Sequence, residues 1–149
     1  MGVGAIISHL DAVVILSRAR ASRGFYPPID TLMSASSTLS PGIVGQAHYD
    51  TATSAIELLN THKVLSRTVA IVGEAELSPY DRQVYQRAKR LINYLTQPFF
   101  TTESQTGKKG VFVPREKTVL DVKMVLEGKL YNVPAEQLMN IGSIQDIGT

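Results

Sequence analysis

The chain has 149 residues, 44% of them hydrophobic, which suits one domain with a genuine core and excludes a disordered segment. The 15 basic and 13 acidic residues leave a net charge of +2, too balanced for nucleic-acid binding to follow from charge. No cysteine is present, so thiol catalysis, cysteine metal sites and disulfides are excluded, and a reducing compartment fits.

Met1 to Ile7 is apolar, carries no positive leader or small-residue cleavage pattern, and has the character of half a buried strand left at the edge of a larger unit. The longest apolar run, Ala12 to Leu16, is far below the roughly 18 residues a membrane span requires, so no direct membrane insertion is expected. From Ala5 to Arg18 the pattern predicts a short strand and then a helix capped by Asp11 and ended by Gly24. Tyr26-Pro27-Pro28-Ile29-Asp30 is expected to be extended, because each proline fixes its own φ and restricts the residue before it. The small-residue cluster Ser34 to Ser40 reads as a loop.

Ser40-Pro41 is a helix start, with serine as cap and proline at the first helical position. Tyr49, Ala52, Ile56 and Leu59 follow at helical spacing and predict the inward face of a long helix of about 30 residues, roughly 45 Å at 1.5 Å per residue, ending at Val72 before Gly73. Ser78-Pro79-Tyr80-Asp81 repeats the start signal as a capping box. Val84, Ala88, Leu91 and Leu95 form the apolar stripe of the helix that follows, with Arg82, Arg87, Lys89 and Arg90 read as a solvated face. Pro98 stops it at Gln97-Pro98-Phe99-Phe100, where local chemistry favours burial of both rings.

Gly107-Lys108-Lys109-Gly110 is a turn, Val111-Phe112-Val113 a short extended piece, and Pro114 opens a third helix carrying Val119, Val122 and Leu126 inward and stopping at Gly128. A last short helix is expected from Pro134 to Met139, and the chain runs out at Ile147-Gly148-Thr149 without a terminal cap. The fold class is mostly α, a helical bundle with a minor extended element at its N-terminal edge.

Chemical motifs are few. No G-x-x-x-x-G-K-[ST] loop is present, so the chain has no phosphate cradle of the ATPase kind. His9, His48 and His62 lack metal-ligand spacing and read as surface or helix-packing residues, which leaves no metal site and no catalytic residue to name. Glu103, Glu116 and Asp121 have no partner identifiable from sequence.

The ordered string Ser8-His9-Leu10-Asp11, Val14 to Arg18, Gly24-Phe25-Tyr26-Pro27-Pro28-Ile29-Asp30, Pro41 to Tyr49, Glu76-Leu77-Ser78, Gln97-Pro98-Phe99-Phe100 with Thr106-Gly107, Pro114, and Met139 to Gly142 resembles the C-terminal part of the F-type ATP synthase β subunit. The likeness runs from His9 to about Asp146 and is specific because many short motifs recur in order and at nearly the family's spacing.

The resemblance implies an edge of a nucleotide-binding domain over residues 1–39 and a C-terminal helical domain over 40–149. It implies ATP or ADP with Mg²⁺ as ligands of the parent subunit, none held tightly by this portion alone. In that family the adenine ring sits between aromatics, which carries over to Tyr26 and Phe99 and leaves Phe100 as the core residue. Gln105 stands where the family has a second phenylalanine. The family's acidic DELSEED loop reads Ala75-Glu76-Leu77-Ser78-Pro79-Tyr80-Asp81, so Glu76, Leu77, Ser78 and Asp81 are the implied contacts to the central stalk, with Leu65 to Asp81 as the lever. Met33-Ser34-Ala35-Ser36-Ser37 lacks the arginine of the family's D-S-T-S-R, which suits a divergent β-like paralogue.

The partners implied are the α subunits and the central-stalk γ subunit, and the location is peripheral to an energy-transducing membrane. The rival readings are a free-standing helical adaptor for protein contacts that binds no nucleotide, and the same domain of a sister rotary or secretion ATPase.

Overall fold

In the computed structural model, which describes residues 3–147, three helices carry the core. Helix α4 (Gln46–Val72) and helix α5 (Pro79–Tyr94) form a hairpin, and α7 (Arg115–Leu126) packs against both. The expected mostly α class is what the chain adopts.

The N-terminal region differs from expectation in register. Helix α1 (Val3–Ile7) stands where a strand was predicted, and strand β1 (Ala12–Val13) pairs antiparallel with β2 (Ala35–Ser36) through Ala12↔Ser36 and Val13↔Ala35. The helix expected from Asp11 begins instead as α2 (Arg18–Ser22), because Ser17 caps it by accepting from the Arg20 N–H, while the β-branched run Val13-Val14-Ile15 stays extended. Met1, Gly2, Gly148 and Thr149, the ends of the expected edge strand and of the uncapped terminus, lie outside the described residues.

The extended reading of Tyr26 to Asp30 is corrected in its first half: the chain bends at Tyr26 and Pro27, joined by a cis peptide bond, the Ile29 N–H donates to Pro27 O at 2.8 Å, and the extended backbone begins after them. Leu16 bridges Ile29, Ser17 N–H donates to Pro28 O at 2.7 Å, and Asp30 N–H donates to Ile15 O at 2.8 Å. Asp30 then closes the next turn, its Oδ1 accepting from the Leu32 and Met33 N–H groups.

The Ser40-Pro41 start gives only a short helix, α3 (Pro41–Val44). Gly45 at φ 83° breaks the chain there, and α4 begins afresh, running 27 residues to Gly73, whose φ of 88° ends it. The inward face of α4 is also rotated from the predicted one: Thr51 and Leu59 are buried and Ala55 and Leu58 pack on the core, whereas Ile56 is 37% exposed. Only Leu59 belongs to both sets.

At the α5 start Ser78 behaves as the capping box requires, accepting from the Asp81 N–H at 3.1 Å and donating to Asp81 Oδ2 at 2.7 Å. Ala88, Leu91 and Tyr94 are buried along α5, and Val122 and Val125 along α7. Leu130, Leu138 in the turn Ala135–Leu138, and Ile144 complete the core.

Arg90 departs from the expected solvated face. Its guanidinium donates to the carbonyls of Leu130, Val133, Tyr131 and Gln86 at 3.0–3.1 Å, clasping the segment after α7 onto α5. Asp121 likewise acquires partners. Fully buried, its Oδ2 accepts from Tyr94 Oη, Ser143 Oγ and the Ile144 N–H. Glu103 accepts from the Gly110 N–H, and Glu116 pairs with Arg115.

Candidate functional site

The corner at the end of α5 is organised by Gln97. Its backbone N–H donates to Tyr26 O at 2.7 Å, its Nε2 donates to Tyr94 O and Gly142 O, and its Oε1 accepts from the Gly142 N–H. One residue, through its backbone N–H and its side chain, thus joins the tyrosine-proline loop, the end of α5 and the C-terminal segment. The buried Pro98 then turns the chain out, and Phe99 follows in extended conformation.

Beyond Phe99 the chain folds back. A turn at Phe100–Thr102 leads into helix α6 (Glu103–Thr106), which ends in a left-handed Gly107. Glu103 holds the Gly110 N–H at 2.8 Å, and Val111 N–H donates to Pro98 O at 3.1 Å. Val111 to Val113 therefore lies alongside the corner. Gly110 is required there, since a Cβ added to it would stand 2.5 Å from Phe100 Cδ1 and 2.6 Å from Phe100 N.

These segments enclose a largely apolar pocket of about 360 Å³ lined by Pro27, Leu95, Phe99, Phe100, Val111 and Phe112 among others. Phe99 is 43% exposed and Phe100 60% exposed, so the expectation that Phe100 closes the core is corrected. Pro98 and Thr96 are the buried residues at the end of α5, and both rings stand outside them. An exposed aromatic face beside an apolar hollow suits a planar ligand held by stacking rather than by hydrogen bonds.

The sequence-derived site residues are brought together unevenly. Tyr26 is half-buried and meets the corner through its carbonyl; Pro27, rather than Tyr26, lines the pocket. Gln105 is exposed on α6 and does not line it. Phe112, 78% exposed, does line it and was not singled out from sequence; the signal available was an apolar Val-Phe-Val triplet set directly after a glycine turn. Among the described residues no group of three or more His, Asp or Glu side chains converges on a metal position.

The α4–α5 turn is built differently from a mobile acidic loop. Leu77 is buried and anchors it, while Arg82 Nη2 donates to the Ala75 and Leu77 carbonyls and Gln86 Nε2 donates to Glu74 Oε1. Asp81 is engaged with Ser78. Glu76 and Ser78 are exposed, and Tyr80 stands out at 73% exposure. No helix among the described residues is long and apolar enough to cross a membrane.

The chain is thus a helical hairpin on a third helix, entered from a small paired edge and closed by an aromatic corner. Residues 37–141 match the family model described as the C-terminal domain of V and A type ATP synthase, and the chain belongs to that family. Among its relatives it is similar to ATP synthase subunit beta 1 of Pseudoalteromonas atlantica, 43% identical over 139 residues, which cover 93% of this chain and 26% of that protein. It is likewise similar to ATP synthase subunit beta of Coprothermobacter proteolyticus, 42% identical over 143 residues, 96% of this chain and 32% of the relative. The chain thus spans about a quarter to a third of the length of these curated relatives.

Proposed function

We propose that the chain acts as the C-terminal portion of the catalytic β subunit of an F-type rotary ATPase, with residues 1–39 as the edge of the nucleotide-binding domain and 40–149 as the helical domain. The similarity to subunits named beta over more than nine-tenths of this chain supports the subunit type. The Pro41 to Tyr49 and Gln97 to Phe99 strings support the F-type reading over the sister rotary enzymes.

In this reading Phe99 offers its ring to adenine, and Tyr26, whose ring does not line the pocket, contacts the base only if its loop, held through the Gln97 hydrogen bond, turns toward Phe99. That bond is the observation that carries the proposal, because it docks the tyrosine-proline loop against the corner beside an apolar pocket. Triphosphate and Mg²⁺ fall to the part of the subunit beyond this chain. The residues present fit the base and supply no phosphate cradle in this pocket. Gln105, exposed on α6, contributes at most an edge contact.

The hairpin serves as the lever. A 27-residue α4 locked to α5 moves as a body, and its turn presents Glu76, Ser78 and Tyr80 to the central stalk, with Leu77 and Asp81 holding the turn's shape. The assembly partners are the α and γ subunits, and the location is peripheral to an energy-transducing membrane.

The test is nucleotide affinity of the full-length subunit bearing Tyr26→Ala or Phe99→Ala. Stacking contributes about 1–3 kcal/mol per base, so each variant binds ADP roughly ten- to a hundredfold more weakly with an unchanged melting temperature. Unaltered affinity in both variants sinks the adenine assignment. The adaptor reading, which the exposed Gln105 favours, gives no nucleotide binding through this pocket in either the parent or the variants.

A further inference from the structure

A second cavity, about 750 Å³, lies between α2, α4 and α5 and shares no lining residue with the pocket beside Phe99. Leu59 and Ile92 contribute apolar surface to it. Its charged lining is one-sided: Arg20, Arg23, Lys63 and Lys89 face a single carboxylate, Asp30, whose Oδ1 is already engaged by two backbone N–H groups. Among the described residues none of these four cations forms a salt bridge.

The guanidinium carbons of Arg20 and Arg23 each lie 5.4 Å from the centre of the Phe25 ring, so one aromatic ring in the cavity wall attends both cations. Arg20 Nε is buried and has no hydrogen-bond partner. A guanidinium cannot shed its proton to relieve this, so an orphaned donor on it costs more than a neutral one.

Burial, then the neighbouring Arg23 and Lys89 charges, lowers the pKa of His62, which is stacked on Tyr85 with ring centres 4.7 Å apart. A concave site with excess positive charge and apolar surface has the makings of an anion receptor.

We propose that this cavity binds a small phosphate-bearing anion, with Arg20 and Arg23 as the direct ligands and Lys63 and Lys89 supplying charge at its walls. Two guanidinium forks match the tetrahedral oxygens of a phosphate or pyrophosphate group, and a multiply charged ligand offsets four cations better than a single carboxylate does. The ligand's negative charge would offset the Arg20 and Arg23 guanidinium charges that line the cavity. The site does not depend on the adenine reading of Phe99.

The test is calorimetric titration of the full chain at low salt with inorganic pyrophosphate, inorganic phosphate and succinate, with the His62 ring resonances followed by NMR. Pyrophosphate binds saturably and more tightly than phosphate, shifts the His62 resonances, and weakens as salt is raised. Arg23→Met, at an exposed position, retains the parent melting temperature and binds pyrophosphate about tenfold more weakly; Arg20→Met/Arg23→Met abolishes binding. Lys108→Met, outside the cavity, binds like the parent. Absence of pyrophosphate binding, equal affinity for succinate, or an equal loss in Lys108→Met overturns the proposal.

Discussion

Tyr94 donates its hydroxyl to Asp121 Oδ2 at 3.0 Å in the fully buried layer between α5 and α7, on the same oxygen that receives Ser143 and the Ile144 N–H. A single carboxylate oxygen therefore ties the C-terminal segment to the interface of two helices. Asp121→Ala leaves three buried donors without that acceptor and destabilises the fold by about 3–5 kcal/mol, whereas Tyr94→Phe removes one bond and costs about 1–2 kcal/mol. Urea unfolding followed by circular dichroism separates the two, and equal costs would count against a shared acceptor.

Arg90 is the second long-range tie. Its planar fork reaches carbonyls on two segments at once, a geometry that an ammonium group does not reproduce. Arg90→Met lowers unfolding stability by about 2–4 kcal/mol, and Arg90→Lys recovers less than half of it. Amide hydrogen exchange then accelerates at Tyr131 and Val133 before it does so at Leu91. Uniform exchange along the chain would show that the clasp is not local.

Much of the helical frame was legible because its signals are local. Ser78 with Pro79 and Asp81, Gly73 after Val72, and Pro98 after the α5 stripe act within one turn of chain, and each marks a boundary within a few residues of where the structure has it. The Gly45 break, the α4 face and the start of α2 were missed where two local signals competed: Asp11 and Ser17 both offer a cap, and the β-branched run decides for Ser17. Arg90 and Asp121 were misread for a different reason, since their partners lie 22 to 43 residues away and no periodicity reports them. The aromatic corner was visible as a motif, yet the outward stance of Phe100 depends on a returning segment held by the Glu103 bond to the Gly110 N–H.

Gly110 is accordingly sensitive to a single methyl. Gly110→Ala forces Phe100 and its backbone apart, costs about 1–3 kcal/mol by overpacking, and reshapes the pocket beside Phe99. A melting curve checks the first effect; under the proposed adenine reading, nucleotide affinity of the parent subunit checks the second. Wild-type values for both would show that the chain yields there without consequence.

His62 gives the fold a pH response. Its pKa is lowered from the ordinary 6.5, chiefly by burial and then by Arg23 and Lys89, so the unfolded chain takes up a proton before the folded one does. The His62 contribution to stability is fully present above about pH 6.5 and is lost as pH falls through the lowered value. Unfolding free energy measured from pH 8 to pH 5 therefore declines, and His62→Gln flattens that part of the profile. An identical profile in the variant would assign the response elsewhere.

Gln97 sits where three parts of the chain, far apart in sequence, are pinned to a single side chain and its own backbone. A displacement of the tyrosine-proline loop is therefore felt both at the end of α5 and at the Gly142 segment. The joint sits at the base of the hairpin, with the 16 residues of α5 between it and the far turn, so a shift at the hollow and a shift of the hairpin are one motion seen from two ends.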